Sequence, residues 1–227
     1  MRETALKTAI IIGATGLTGG ILLRLLLKDE RYGKIKLFSR SSVGIDHDKL
    51  EETLGDLFQF EYFKDRFLAD EVFCCIGTTK AKTPNKDMYR KIDYEIPKCA
   101  AQLCKENGIK SFVVISALGA NANSNIFYNR TKGEMEDAVF QYKISNTYIL
   151  RPSLIAGNRK ERRTGEMVFK QLMEVANLVM VGPLRKYRSI QAETIAKAMV
   201  WLANNSYPAT RIPSNEIIEI AHRTKLL

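Results

Sequence analysis

Residues 8–20, "TAIIIGATGLTGG", begin as a run of β-branched and apolar residues and end with four glycines in the last eight positions. The first half predicts a buried β-strand, and the apolar periodicity of the residues that follow predicts a helix. Glycines between such elements allow a tight turn, close approach of a pyrophosphate and close helix packing, and the helix N-terminus offers free N–H groups. The cofactor-binding residues predicted here are Gly13, Thr15, Gly16, Leu17, Thr18 and Gly19.

Beyond this turn, short apolar strands alternate with amphipathic helices along all 227 residues. Strands are predicted at 8–13, 34–39, 71–77, 111–116, 147–152 and 216–221, with a weak one ending at 54–57, and helices at 19–29, 86–108, 128–142, 164–179 and 191–205. This rhythm is typical of a parallel sheet with helices on both faces. We therefore expect an α/β fold, a Rossmann-like doubly wound parallel sheet, as a single domain over residues 1–227. Residues of about 156–212 are expected to contribute a small C-terminal lobe on the substrate side.

Composition limits the class of protein. The hydrophobic fraction is 45%, and no apolar run approaches the roughly 18 residues that span a bilayer. The first residues lack the features of a secretory signal peptide, so a cytoplasmic location is expected. Four cysteines and two histidines show no metal-ligand spacing, which predicts buried thiols and no metal site.

The net charge of +10 is unusual and fits a nucleic acid, an acidic surface or an anionic ligand. No nucleic-acid-binding motif accompanies the charge, so a nucleic-acid partner is disfavoured. The densest basic stretches are residues 158–163 and 185–188, in sequence typical of loops. The first of them either attracts an anionic substrate or is simply solvated, and the sequence leaves both interpretations open.

The end of the second predicted strand bears on cofactor choice. An acidic residue at that position binds the ribose hydroxyls of NAD, whereas an arginine accommodates the extra phosphate of NADP. Here Ser39 stands where the acid is expected, and Arg40 follows with Ser41 and Ser42. A forked cation and neighbouring hydroxyls suit a phosphate, which predicts NADP(H) as the cofactor.

A Tyr-x-x-x-Lys spacing, which places both side chains on one helix face, occurs three times. The three pairs are Tyr32 with Lys36, Tyr94 with Lys98, and Tyr128 with Lys132. The first straddles a turn and a strand, and the second contains Pro97. Only Tyr128 and Lys132 open a helix soon after a strand, where Ser116 ends that strand. The expected catalytic set is therefore Ser116, Tyr128 and Lys132, with the lysine lowering the phenol pKa.

Taken together, these motifs make the chain resemble an atypical short-chain dehydrogenase/reductase, similar to the Tat-interacting-protein (oxidoreductase) family. The resemblance covers nearly the whole chain in family order. It rests on the segments "FCCIGTTKAK", "KIDYEIPKCA", "YNRTKGEMED" and "LRPSLIAGNRKERRTGE".

The resemblance implies a Rossmann-like fold, NADPH binding, and Ser116, Tyr128 and Lys132 as the catalytic set. It further implies that Gly77 and Thr78 lie beside the cofactor ribose, Asp56 and Leu57 beside the adenine, and Pro152 to Leu154 beside the nicotinamide. Asp93 departs from the superfamily pattern, because it stands where better-known members carry a relay asparagine. A relay role at Asp93 is therefore in doubt.

The expected activity is NADPH-dependent reduction of a small-molecule carbonyl substrate, with Tyr128 as proton donor, Lys132 on the ribose, and Ser116 orienting the carbonyl. Two alternatives stay open: a cofactor-sensing regulator with little or no turnover, and a sugar-nucleotide epimerase. The sequence fixes neither the substrate nor the oligomeric state, and a protein partner or a homodimer is compatible with it.

Overall fold

A computed structural model describes residues 5–156 and 187–224. Its strands are β1 (Lys7–Ile12), β2 (Tyr32–Ser39), β3 (Leu50–Leu54), β4 (Glu71–Cys74), β5 (Ser111–Ile115), β6 (Asn146–Arg151), β7 (Ile155–Ala156), β8 (Ile190–Gln191) and β9 (Arg211–Pro213). Its α-helices are α1 (Leu17–Lys28), α2 (Lys86–Arg90), α3 (Ile96–Glu106), α4 (Phe127–Gln141), α5 (Ala192–Asn204) and α6 (Ser214–Arg223). A 3-10 helix spans Leu57–Arg66, and a π-helical turn spans Lys91–Glu95.

Seven parallel strands form one sheet in the order β3-β2-β1-β4-β5-β6-β9, and β7 pairs with β8 separately. From β1 the chain first builds outward through β2 and β3, and then returns to the other side of β1 with β4. The order therefore reverses between β1 and β4, and ligands bind outside the carboxyl ends of strands at such a point. This confirms the predicted Rossmann-like doubly wound parallel sheet.

Both faces of β1 are buried, which explains its unbroken apolar sequence. Ala9 and Ile11 belong to the core that α1, α5 and α6 cover, while Ile10 and Ile12 belong to the core that α3 and α4 cover. Because alternate side chains of a strand point to opposite faces, one strand contributes to both layers. The sheet is thus held rigidly at the point where the ligand site forms.

One long helical segment, from α2 through the π-helical turn to α3, covers the second face. Asn85 caps its start by accepting a hydrogen bond from Met88 N at 2.9 Å. Pro97 lies in the first turn of α3, where a missing N–H is tolerated. The π-helical turn contains Asp93, which is fully buried. Such turns are rare and are frequent at functional sites.

The strand predicted at 216–221 is wrong, since these residues lie in α6. Ile217, Ile220 and Ala221 are buried and Glu219 is exposed, which is the three- and four-residue spacing of a helix. The last strand of the sheet is β9, a three-residue strand that pairs with β6. The helix predicted at 164–179 and the basic stretch at 158–163 lie outside the described residues. So does most of the predicted substrate-side lobe.

The described cysteines are free thiols, and Cys74 and Cys104 are buried. Burial raises the pKa of the Cys74 thiol to about 12, so it is an unreactive core residue. No helix within residues 5–156 and 187–224 combines the length and the apolar character needed to cross a bilayer.

Gly133→Ala should destabilise the protein although alanine favours helices. A Cβ at Gly133 of α4 would lie 2.1 Å from Ala122 N and 2.3 Å from the Asn121 carbonyl carbon. Overpacking usually costs about 1–3 kcal/mol and occasionally more, and backbone contacts this short place Gly133→Ala at about 3 kcal/mol or more, well above the gain of at most about 1 kcal/mol in helix propensity. Urea unfolding measures the difference. The control is Gly108→Ala, which has positive φ but no atom within 4 Å and should cost only about 1–2 kcal/mol. Unchanged stability in Gly133→Ala would contradict the close approach of the 121–122 loop to α4.

Candidate active site

The glycine turn between β1 and α1 is built on two approaches that leave no room for side chains. Gly13 has φ +89°, and a Cβ there would lie 2.9 Å from the carbonyl carbon of Cys75, just after β4. A Cβ on Gly19 would lie 2.2 Å from Gly13 O. Gly16 caps α1, and its N–H donates to Gly13 O at 3.0 Å. The N-terminus of α1 is thereby directed at the carboxyl ends of β1 and β4.

This turn opens into a cleft of about 670 Å³. The predicted cofactor-binding residues that line the cleft are Gly13, Thr15, Gly16, Arg40, Asp56, Leu57, Gly77 and Thr78. Sequence reasoning missed the remaining lining residues, which are Phe58, Cys75, Ile76, Lys82, Thr83, Pro84, Asn85, Met88, Ile92 and Ile96. Seven of these ten belong to the loop between β4 and α2 or to the first turn of α2. A polar stretch directly after a buried strand is the only sequence feature that could have indicated them.

The other residues predicted for the site do not line this cleft. They are Leu17, Thr18, Gly19, Ser39, Ser116, Tyr128, Lys132, Pro152 and Leu154. Thr18 and Gly19 are buried in the first turn of α1. Pro152 is buried and its carbonyl accepts a hydrogen bond from Leu118 N at 3.0 Å, while Leu154 is exposed just before β7. The prediction that Pro152 to Leu154 contact a nicotinamide stays a prediction.

The end of β2 carries a mixed set of groups. Ser39 is buried and its Oγ donates to Ser41 O at 2.8 Å, so this hydroxyl is already engaged. Ser42 Oγ contacts Glu52 Oε2 at 2.5 Å. Arg40, by contrast, is exposed and lines the cleft. Ser41 is exposed but does not line the cleft, so Arg40 is the one predicted phosphate-binding group that does.

Lys132 lies at the edge of the same cleft, because a Cβ on Gly77 would be 3.8 Å from its Nζ. The lysine is only 4% exposed, and its Nζ lies 2.8 Å from Asp93 Oδ1. The other carboxylate oxygen of Asp93 accepts a hydrogen bond from Thr78 N at 2.8 Å. Burial lowers the pKa of the Lys132 ammonium, but Asp93 and Tyr128 together raise it by more. The net pKa therefore lies above the usual value for a lysine.

Tyr128 lies one helical turn before Lys132 and is 41% exposed. Its ring meets that of Tyr89 edge to face at 6.4 Å between centroids, and Tyr89 Oη donates to Thr78 O at 3.2 Å. Partial burial raises the pKa of the Tyr128 phenol, Lys132 lowers it, and Asp93 raises it again. Lys132 acts in the expected direction, but the net pKa is raised above the usual value for a tyrosine. The main cause is burial of the phenol, to which Asp93 adds by offsetting part of the lysine charge.

Ser116 has a partner that the sequence did not indicate. Its hydroxyl donates to Glu136 Oε1 at 2.6 Å, and Glu136 is fully buried. Arg151 Nε donates to the same oxygen at 2.9 Å, and Arg211 Nε donates to Oε2 at 2.8 Å. An ionised carboxylate only accepts, so the serine supplies the proton and its oxygen can only accept a further bond in this arrangement. Glu136 follows Lys132 by four residues, a spacing that could have indicated it.

The residues of the turn fit a dinucleotide. The backbone itself occupies the space that a Cβ would fill at Gly13 and Gly19. Thr15 and Gly16 line the cleft, next to the N–H groups at the start of α1. These groups favour an anion, as a helix N-terminus does. With Arg40 on the same cleft, the fold and the site define a dinucleotide-binding protein with a Rossmann-like fold.

Comparison with known proteins agrees with this class. The sequence model of the NAD(P)H-binding family matches residues 13–205, and the chain belongs to that family. It is 31% identical to "Protein FMP52, mitochondrial" of Meyerozyma guilliermondii, over 86% of this chain and 84% of that protein. It is 29% identical to "Protein HTATIP2" of Rattus norvegicus, over 73% of this chain and 69% of that protein.

Solved structures extend the likeness to the fold alone. The enzyme WbmH of Bordetella bronchiseptica, in complex with NAD+, superposes with a TM-score of 0.69 at 16% identity, over 91% of this chain and 74% of WbmH. Other structures of the same fold include UDP-sugar epimerases. Together with the match to the NAD(P)H-binding family and to HTATIP2, this fold confirms the resemblance to atypical short-chain dehydrogenases/reductases.

The expected cytoplasmic location is contradicted by these relatives, because the FMP52 proteins are named as mitochondrial. The expectation rested on the missing features of a secretory signal peptide. Those features test secretion and carry no information on a mitochondrial address.

Gly16→Val should weaken binding of either nicotinamide cofactor by at least about 10- to 100-fold, because a branched side chain would occupy the cleft beside the N-terminus of α1. The fold should persist, since an added Cβ has one close contact, with Gly13 O at 3.2 Å, which a shift of a few tenths of an ångström relieves. Calorimetry measures affinity and circular dichroism measures structure. Gly16→Ala, as a graded control, should lose less affinity. Undiminished binding in a folded Gly16→Val protein would refute the phosphate-binding role of the turn.

Proposed function

We propose that the protein is an NADPH-dependent reductase of small-molecule carbonyl compounds, with Tyr128 as the proton donor. One observation carries the proposal: the partly exposed Tyr128 phenol and the buried Lys132 ammonium lie on one face of α4, and that ammonium borders the cleft at Gly77. A proton donor and a cation thus adjoin the region where the glycine turn favours a dinucleotide.

In this proposal the residues have separate roles. When bound, the nicotinamide supplies a hydride to the carbonyl carbon. Tyr128 gives its phenolic proton to the carbonyl oxygen, and Lys132 binds the adjoining ribose and stabilises the phenolate that forms. Ser116 orients the carbonyl only if its hydroxyl turns away from Glu136, because its proton is otherwise committed to that carboxylate.

Two features support NADPH over NADH. Arg40 is exposed on the cleft at the end of β2, and the neighbouring position is Ser39 instead of an acid. A guanidinium suits a phosphate, and a carboxylate that would repel it is missing from that position. The names of the FMP52 relatives support a mitochondrial location.

A second candidate function is a cofactor-binding regulator with little turnover. It is favoured by the hydrogen bond from Ser116 to Glu136 and by the raised pKa of Tyr128, since both oppose rapid proton transfer in this arrangement. The epimerase alternative draws on fold alone, because four epimerase structures of the same fold are only 14–16% identical to the chain. The substrate-side lobe of about 156–212, a protein partner and a homodimer stay proposals.

Arg40→Asp should weaken NADPH binding by about 10- to 100-fold, because a charge-assisted hydrogen bond is lost and a carboxylate would face the phosphate. NADH binding should change little, so the preference narrows or reverses. Calorimetry with both cofactors measures this. Arg24→Asp makes the same charge change on the exposed face of α1 and should alter neither affinity. Equal affinity of the unmodified protein for both cofactors would overturn the preference.

Tyr128→Phe should cost about two to four orders of magnitude in turnover while leaving cofactor affinity nearly unchanged, because it removes the proton donor and keeps the ring. A panel of aldehydes, ketones, quinones and keto-sugars is first screened by NADPH absorbance. Tyr142→Phe removes a phenol just beyond the same helix, where Oη lies 3.4 Å from Gln102, and should keep full activity.

This experiment distinguishes the two candidate functions. Full turnover by Tyr128→Phe would exclude Tyr128 as the donor. Tight NADPH binding without reduction of any compound in the panel would favour the regulator.

A further inference from the structure

Asp93 is a fully buried carboxylate that joins two parts of the proposed active site. Its Oδ1 lies 2.8 Å from Lys132 Nζ on α4, and its Oδ2 accepts a hydrogen bond from Thr78 N, just after β4, at 2.8 Å. Oδ1 has no hydrogen-bond donor among the described residues beyond this ammonium contact. The side chain therefore connects the catalytic helix to the turn that lines the cofactor cleft.

The charge of Asp93 matters because Lys132 is buried. An isolated ammonium or carboxylate in a protein interior is costly, and such a group usually shifts its pKa and becomes neutral. Lys132 is 4% exposed and Asp93 is 0% exposed, so both charged groups are largely removed from bulk water. A neutral amide at position 93 could still accept from Thr78 N, but it could not balance the ammonium.

We propose that Asp93 is a positioning residue that holds the Lys132 ammonium charged and fixes it, together with the Gly77–Thr78 turn, beside the cofactor cleft. This inference rests on the proposed function, in which Lys132 binds the ribose and assists Tyr128. It assigns to Asp93 a direct ion pair with the lysine.

The local fold is arranged to make this contact. Asp93 lies on the π-helical turn between α2 and α3, which places it against Gly77 as well as Lys132: a Cβ on Gly77 would be 3.4 Å from Asp93 Oδ1. Tyr89, one helical turn earlier, donates to Thr78 O, so both the N–H and the carbonyl of Thr78 are bound from this segment. The turn beside the cleft is fixed by the same element that supplies the counter-ion.

The electrostatic surroundings of Lys132 define the test. The groups that act on its charge are Asp93, Tyr128 and the thiol of Cys74, and all three raise its pKa while burial lowers it. Tyr128 and Cys74 are both neutral near pH 7, since their pKa values are raised. Asp93 is the one of these groups that forms an ion pair with the ammonium, at 2.8 Å, so replacing its carboxylate leaves the effect of burial to dominate.

Asp93→Asn should lower the pKa of Lys132 by more than about one unit, in the direction that burial drives an amine. The measurement is NMR titration of 13Cε-labelled lysine, with the Lys132 signal assigned by its loss in Lys132→Met. Glu71→Gln is the matched control. Glu71 is also a buried carboxylate paired with a lysine, Lys7, at 3.1 Å, but it lies at the start of β4. The Lys132 pKa should be unchanged in that variant.

Cofactor binding gives an independent measure of the same effect. Because Asp93→Asn releases the lysine proton at lower pH, its NADPH affinity should begin to fall at lower pH than that of the unmodified protein. Calorimetry from about pH 7 to about pH 11 follows this fall in affinity, since that interval spans the usual range of lysine titration. A purely structural role would lower affinity equally at every pH.

The outcomes separate the two proposals. An unchanged Lys132 pKa in folded Asp93→Asn, or an equal shift in Glu71→Gln, overturns the role of Asp93. If Asp93→Asn does not fold, the Lys132 pKa of the unmodified protein is the deciding measurement. A value below the usual lysine pKa would show that Asp93 does not hold the ammonium charged. Failure to find a carbonyl substrate would overturn the proposed reductase, whereas the lysine titration would still decide the role of Asp93.

Discussion

The close approach of three backbone segments at the end of β1 is the constraint on which the rest of the structure depends. Gly13 lies against the backbone after β4, and Gly19 of α1 lies against Gly13 O, so that side chains are excluded from both contacts. The sheet reverses its order at this point, and α1 starts there. If these segments were farther apart, the helix N-terminus would not reach the carboxyl ends of the two strands, and no anion site would form.

Around this rigid centre, the second half of the site depends on one face of α4. Tyr128, Lys132 and Glu136 succeed one another at four-residue intervals, from exposed to fully buried. Each buried charge meets a partner from another element: Asp93 for the lysine, and Arg151 and Arg211 for Glu136. Because an unpaired charge in such a place is costly, these contacts orient α4 against both the sheet and the π-helical turn.

The same pairing sets the chemistry of the site. A lysine that is compensated by a carboxylate lowers a neighbouring phenol pKa less than a free ammonium would, and the Ser116 proton is bound by Glu136. The arrangement favours stable placement of the lysine over maximal acidity of the tyrosine. That balance is compatible with a slow reductase as well as with a protein whose main task is to bind the cofactor.

The sequence alone determined the sheet, the glycine turn, and the likeness to short-chain reductases, because these depend on local properties: buried apolar strands, glycines where no Cβ fits, and helical spacing. The short strand β9 and the helix α6 were not predictable. The apolar residues at 216–221 fit either a strand or a helix, and packing against neighbouring elements decides which residues are buried. Only the tertiary structure decided the partners of Lys132 and Ser116. Asp93 and Glu136 lie 39 and 20 residues away from them along the chain, and which buried charge meets which is settled by how helices pack on a sheet.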